Sequence, residues 1–247
     1  MTGGPVLRHV IAALAVLSFP VSAQSVRYTP PRLVQTALPA MPAPMVVGGG
    51  EVLIEGIVDT RGVPTRIAIL RSTPPFTQMV LDAFARWQFE PARVRDEKGV
   101  EHAVDAPVTV AARFRPPTLY DGPVAGESAR DHLQPSADVA YPLGVPTPAY
   151  PPRALDGSTV LFELSLDESG RITSSKSVAM TPGFEGVTRD AVASMRFRGA
   201  SYRARPVPAT AYVIFGFRSP VVGAPTPPCD PRIGKCPPPA ASPQSIR

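Results

Sequence analysis

Residues 52–92 read VLIEGIVDTRGVPTRIAILRSTPPFTQMVLDAFARWQFEPA, and residues 160–200 read VLFELSLDESGRITSSKSVAMTPGFEGVTRDAVASMRFRGA. Placed one above the other, the two stretches align without a gap at a constant offset of 108, as between Gly62 and Gly170. Val52 meets Val160, Asp59 meets Asp167, Thr73-Pro74 meets Thr181-Pro182, and Phe76 meets Phe184. Further on, Asp82-Ala83 meets Asp190-Ala191, Phe89 meets Phe197, and Ala92 meets Ala200. One register held through a turn, a proline loop and a helix marks an internal duplication.

Each copy has the same physical grammar. In the second, Val160, Phe162, Leu164 and Leu166 alternate with Glu163, Ser165 and Asp167, the period of a strand with one buried face. DESGR, like DTRGV in the first copy, supplies Asp and Gly for a tight reversal into a second extended run, so the pair is a hairpin. The prolines of STPPF and MTPGF then stop the strand and open a helix. Phe76, Met79, Val80, Ala83, Phe84 and Trp87 fall on one helical stripe, and Phe184, Val187, Thr188, Ala191, Val192 and Met195 repeat it. Asp82, Arg86, Arg189 and Asp190 lie off the stripe. Closing strands run from Ala106 to Phe114 and from Ala209 to Phe217. The expected fold class is therefore α+β: two tandem β-β-α-β modules, each a small antiparallel sheet with one helix packed on it.

WQFEPA, residues 87–92, is the corner of the first module. Trp87 ends the apolar stripe, Phe89 turns inward as the chain extends, and Pro91 prevents the helix from resuming. Trp87, Phe89 and Pro91, with Met195 and Phe197 in the second module, are expected to be structural rather than ligand-binding.

Around the duplication, 33 prolines in 247 residues concentrate at 29–44, 116–123, 142–152 and 220–243, stretches poor in apolar content. The division expected is a signal peptide (1–23), a Pro-rich lead-in (24–48), module 1 (49–115), a linker (116–147), module 2 (148–218) and a Pro-rich tail (219–247). Arg8, the apolar run Val10–Phe19 and the small-x-small Val21-Ser22-Ala23 predict cleavage after Ala23. A membrane span takes about 20 apolar residues, roughly twice that run; retention of the segment as an inner-membrane anchor is the alternative. The expected location is the periplasm. Cys229 and Cys236 close a short loop in CDPRIGKC, and an oxidising compartment would join them as a disulfide.

A hairpin with a Gly turn, a helix containing AFARWQFEPA and a closing strand ending in Phe resemble the carboxy-terminal domain of TonB, most closely over Gly49–Phe114. The second copy, preceded by PAYPPRAL, keeps that family's Tyr-Pro at Tyr150 and Pro151, but has Met195 where the family prefers Trp and Gly199 where it has Pro. The first copy has Met41-Pro42 in place of Tyr-Pro. What the resemblance implies is a periplasmic interaction module that pairs a strand edge with a short peptide from an outer-membrane receptor. By that resemblance the peptide-binding residues are expected on the closing strands, at Val108, Val110, Tyr212, Val213, Ile214 and Phe215; the bland alternative is that closing-strand side chains such as Tyr212, Ile214 and Phe215 are core or sheet-face residues. A soluble peptide-binding protein and a membrane-anchored transducer, or an accessory to one, are the two forms such a chain takes.

No nucleophile–base pair, phosphate loop or metal-ligand spacing is legible, so the expectation is a binding protein, not an enzyme, with no cofactor and no metal. Gly48–Gly50 precede a strand, whereas a phosphate loop precedes a helix. Asp59 and Asp167 sit at separate hairpin turns and serve them. The net charge of +5, with Arg196, Arg198, Arg203 and Arg205 close together, suits anionic cell-wall groups, and the bland alternative is a solvated loop. Partners are thus expected among proteins or peptides, outer-membrane receptors included, with cell-wall contact and self-association as further options. Nucleic acid is not expected. Whether the two modules move independently or join sheet edges as a pseudo-dimer stays open at this level.

Overall fold

The computed structural model describes residues 27–40, 48–116, 130–131, 133–151, 154 and 157–218. The first half contains β1 (Arg27–Thr29), β2 (Arg32–Gln35), β3 (Gly50–Val58), β4 (Pro64–Ser72), α1 (Phe76–Phe84), β5 (Gln88–Glu90), β6 (Ala92–Arg95), β7 (Glu101–Val104) and β8 (Ala106–Arg115). Then come β9 (Arg130–Asp131), β10 (Tyr141–Pro142), β11 (Ser158–Leu166), β12 (Ile172–Ala179), α2 (Glu185–Ser194), β13 (Phe197–Arg198), β14 (Ala200–Tyr202), β15 (Arg205–Val207) and β16 (Ala209–Phe217).

These elements correct the expected fold class. The described residues are 50% strand and 11% helix, so the protein is mostly β and not α+β. Nor are there two small sheets. One 7-stranded sheet runs in the order β12-β11-β16-β8-β3-β4-β9, and it draws strands from both halves. The physical reason is that the closing strands pair with each other: β16 lies parallel to β8 from Ala211↔Thr109 to Phe217↔Arg115, while its other side pairs antiparallel with β11. Short ribbons raise the strand content further, β1-β6-β7, β2-β5, β10-β13 and β14-β15.

A parallel junction between two like halves puts their helices on opposite faces of the sheet. One core gathers Phe76, Val80 and Phe84 of α1 over Val52, Ile54, Val108 and Val110, and continues into the second half through Leu161, Tyr212 and Ile214. The other gathers Phe184 and Val192 over Val160, Phe162, Leu164, Val213 and Phe215. Because period-2 alternation sends neighbouring residues to opposite faces, Leu161 and Phe162 belong to different cores.

Each half leaves bare the sheet face opposite its own helix, and a crossing arm covers it. The β2 arm pairs with the corner strand β5, Leu33 opposite Phe89, and its Leu33 amide donates to Glu163 Oε2 at 3.2 Å on the second half's β11. The equivalent arm of the second half pairs through β10 with β13, and its Ser136 amide donates to Glu55 Oε2 at 3.0 Å on β3. Glu55 and Glu163, both buried, are equivalent positions of the duplication. Glu163 thereby gives the buried Leu33 amide its partner, and Glu55 ties the exposed Ser136 to the sheet. Val139, Ala140, Pro142 and Val145, within the expected linker, are thus buried: Thr109 Oγ1 donates to Ala140 O at 2.6 Å, and Val145 packs against Leu53, Leu70 and Ala111.

The WQFEPA corner closes the first core. Trp87 is 1% exposed, its Nε1–H donates to Ala37 O at 2.8 Å, and its ring meets Phe84 at 5.4 Å and Tyr212 at 5.3 Å. Phe89 is buried and Pro91 is half-buried. Met195 and Phe197 are buried at the corresponding places in the second core. Gly62 and Gly170 are required at their turns: both have φ of +83°, and a Cβ would fall 1.8 Å from Phe89 O at the first and 2.5 Å from Phe197 O at the second. Each hairpin turn is thereby seated directly on the corner strand.

Candidate functional site

The closing strands are not open edges. All nine residues of β16 are buried, Tyr212, Val213, Ile214 and Phe215 among them, and the strand is bonded to β11 on one side and β8 on the other. Val108 and Val110 are likewise buried, on a strand set between β3 and β16. The expectation that these six residues present an edge to a peptide is corrected, because the backbone groups a peptide would need are spent joining the two halves. Tyr212 instead donates toward Glu163 Oε2 at 3.4 Å inside the first core, and burial, with the Glu163 charge beside it, pushes its phenol well above the ordinary range.

Free edges lie at the two ends of the sheet. At one end, β9 pairs with Arg71 and Ser72 of β4, and Arg71 is gripped by Asp131 at 2.8 Å and by the buried Glu51 at 2.5 Å. Glu51 also holds Arg113 at 2.8 Å. The rest of β4 is irregular, with register shifts and Arg66 at φ +44°, features that twist an edge away from regular pairing. At the other end, β12 pairs with β11 alone, and no strand among the described residues lies on its outer side. Its central residues, Thr173 to Lys176, are exposed.

Between β12 and α2 runs a cleft of about 610 Å³. Ile172 to Ser175 form one wall, Arg189, Val192, Ala193 and Arg196 the other, and Met195 and Phe197 the base. The cleft exists because its components are small. Serines stand at 174 and 175 where the first half has Arg66 and Ile67, and Val192 and Met195 stand where it has Phe84 and Trp87. The β12 edge keeps unbroken register with β11 from Ser174 to Ser177, with a shift on either side. Its outward amides and carbonyls and the groove that borders them are the two parts that strand addition uses: a backbone ladder and a place for alternate side chains.

The other sequence candidates are dispersed. Arg196 lines the cleft and donates to Met195 O at 2.8 Å, whereas Arg198 anchors the crossing arm through Ser136 O at 2.5 Å and lies 5.7 Å over the Tyr141 ring. Arg203 lies over Tyr202, and Arg205 belongs to β15. No group of three or more His, Cys, Asp or Glu side chains among the described residues has metal-binding geometry, and no described helix is long and apolar enough to cross a membrane. The segment 1–23, Cys229 and Cys236 lie outside the described residues.

Asp59 and Asp167 are turn residues. Asp59 accepts from the amides of Arg61 and Val63, and Asp167 from those of Ser169 and Arg171, all at 2.9 Å. The Val63 amide and then Arg61 hold the Asp59 carboxyl below its ordinary value; the Ser169 hydroxyl and then the Arg171 amide do the same for Asp167. A carboxyl more acidic in the folded than in the unfolded chain stabilises above the unfolded value, and that contribution is lost as pH falls through the folded one. The melting temperature is expected to drop as pH falls below about 4, and the double variant Asp59→Asn, Asp167→Asn to drop less steeply. Equal slopes for the two proteins would contradict the assignment.

No family model matches the sequence, and no characterised protein matches it either. Sequence reasoning missed the cleft. The signal available was the run of small polar residues at 173–175, set beside the isoleucine and arginine of the first copy.

Proposed function

We propose that the chain is an exported peptide-binding protein that captures extended segments by strand addition at β12. The observation that carries this is the open edge of β12, in unbroken register with β11 over Ser174–Ser177, flanking the cleft against α2. A peptide laid there would bond to the edge through its main chain and place every second side chain in the groove. Lys176, central in the edge, is the kind of residue that keeps such an edge from pairing with its own copies. Export rests on Arg8, the apolar run and Val21-Ser22-Ala23. Kinship with the TonB carboxy-terminal domain belongs to this proposal and rests on the W-x-F-x-P-A corner with the hairpin before it; outer-membrane receptor segments are then the natural class of partner.

Neighbouring residues of a strand point their N–H groups to opposite sides, so one of Ser174→Pro and Ser175→Pro removes an outward donor while leaving the ladder to β11 intact. Of these variants, the one that melts like the parent is expected to lose binding to linear peptides selected from a random library against the parent. Undiminished binding by that variant would sink the proposal.

A further inference from the structure

We infer that the β12 cleft selects acidic extended peptides and that the chain has one such site, in its second half alone. This rests on the reading of β12 as a capture edge and adds the chemistry of what is captured. Three guanidinium groups line the cleft, Arg171, Arg189 and Arg196, and no acidic residue does. Arg189 has no ion-pair partner among the described residues, and the Arg196 contacts are to the main-chain carbonyls of Ala193 and Met195, which leave its charge uncancelled. Arg171, 80% exposed, meets Asp167 through Nε at 3.3 Å. Arg171 stands just before β12, and Arg189 and Arg196 stand across the groove on and after α2. Carboxylates at alternate positions of an added strand would meet cations on both walls, with Val192 and Met195 beneath a small apolar side chain between them.

The first half cannot repeat this site. At the matching positions it carries Leu81 for Arg189, Phe84 for Val192, Trp87 for Met195 and Ile67 for Ser175. Phe84 and Trp87 are fully buried in its core, so large rings take the volume that is open in the second half. The tail 219–247 has the wrong charge to be the occupant, with Arg232, Lys235 and Arg247 against Asp230.

The test titrates the full chain calorimetrically with three capped ten-residue peptides that alternate valine with glutamate, serine or lysine, and locates each complex by amide hydrogen exchange. The glutamate peptide is expected to bind one to one, about tenfold tighter than the serine peptide at low salt, to slow exchange at 172–179, and to weaken as salt rises. The lysine peptide is expected not to bind. Arg189→Glu, at an exposed position, is expected to keep the parent's melting curve and to reverse the order of the glutamate and lysine peptides. Equal affinities for all three peptides at 172–179 would overturn charge selection while leaving strand capture standing, and two glutamate peptides per chain would overturn the single site. Binding of none, or protection only elsewhere, would overturn both this inference and the capture reading beneath it.

Discussion

Trp87→Ala is expected to lower the stability of the whole chain by about 3 to 5 kcal/mol. The ring is 1% exposed, and its edge-on contacts reach Phe84 on its own helix and Tyr212 on the far half's closing strand. Truncation opens a cavity among aromatics that cannot collapse without moving the sheet, and it leaves Ala37 O without the indole donor at 2.8 Å. Because the first core includes Leu161, Tyr212 and Ile214 of the second half, the loss is shared by both halves rather than confined to one. Urea unfolding followed by far-ultraviolet circular dichroism should show one transition moved to lower denaturant. An unchanged midpoint would refute the packing described for the corner, and a shift confined to one of two separate transitions would refute the shared core.

Val213→Pro is expected to cost at least about 3 kcal/mol, enough to prevent folding of a chain with little reserve. Val213 stands opposite Phe162 on one side and Ala111 on the other, and is fully buried. A proline removes a ladder donor from the centre of the sheet, strands its buried acceptor, and forces its ring against a neighbouring strand. Were this strand an outer edge, the same substitution would be tolerated wherever the donor faced solvent. A soluble variant with the parent's circular dichroism spectrum and melting curve would therefore contradict the central junction of β16 with β8.

That junction also shows where sequence reasoning reaches and where it stops. The hairpin turns at Gly62 and Gly170, the helix stripe from Phe76 to Phe84 and the buried corner are each encoded locally, in spacing and turn chemistry, and the duplication shows as the same pattern met twice. Assembly of the halves is not. It depends on pairing between strands a hundred residues apart, for which no local pattern exists. One clue was present: ATAYVIFGF is apolar on both of its faces, which suits a strand covered on both sides better than one at the rim of a small sheet. The crossing arms were hidden for a different reason. Proline-rich composition reads as solvated linker, yet Ser136 is fixed by hydrogen bonds with Glu55 and Arg198, and Ala140 by one from Thr109, and such pairs leave no periodic trace. The cleft was legible only as a difference between the copies, in serines and a valine where the first half has an arginine, an isoleucine and a phenylalanine.

Edge capture at β12 is tested most directly by amide hydrogen exchange of the full chain, alone and saturated with a linear peptide selected against it from a random library. Slowed exchange in residues 172–179, with β16 and the β4 edge unchanged, is the predicted result, because only β12 gains a hydrogen-bonding neighbour. Protection elsewhere while 172–179 exchange at their unliganded rate would contradict the account.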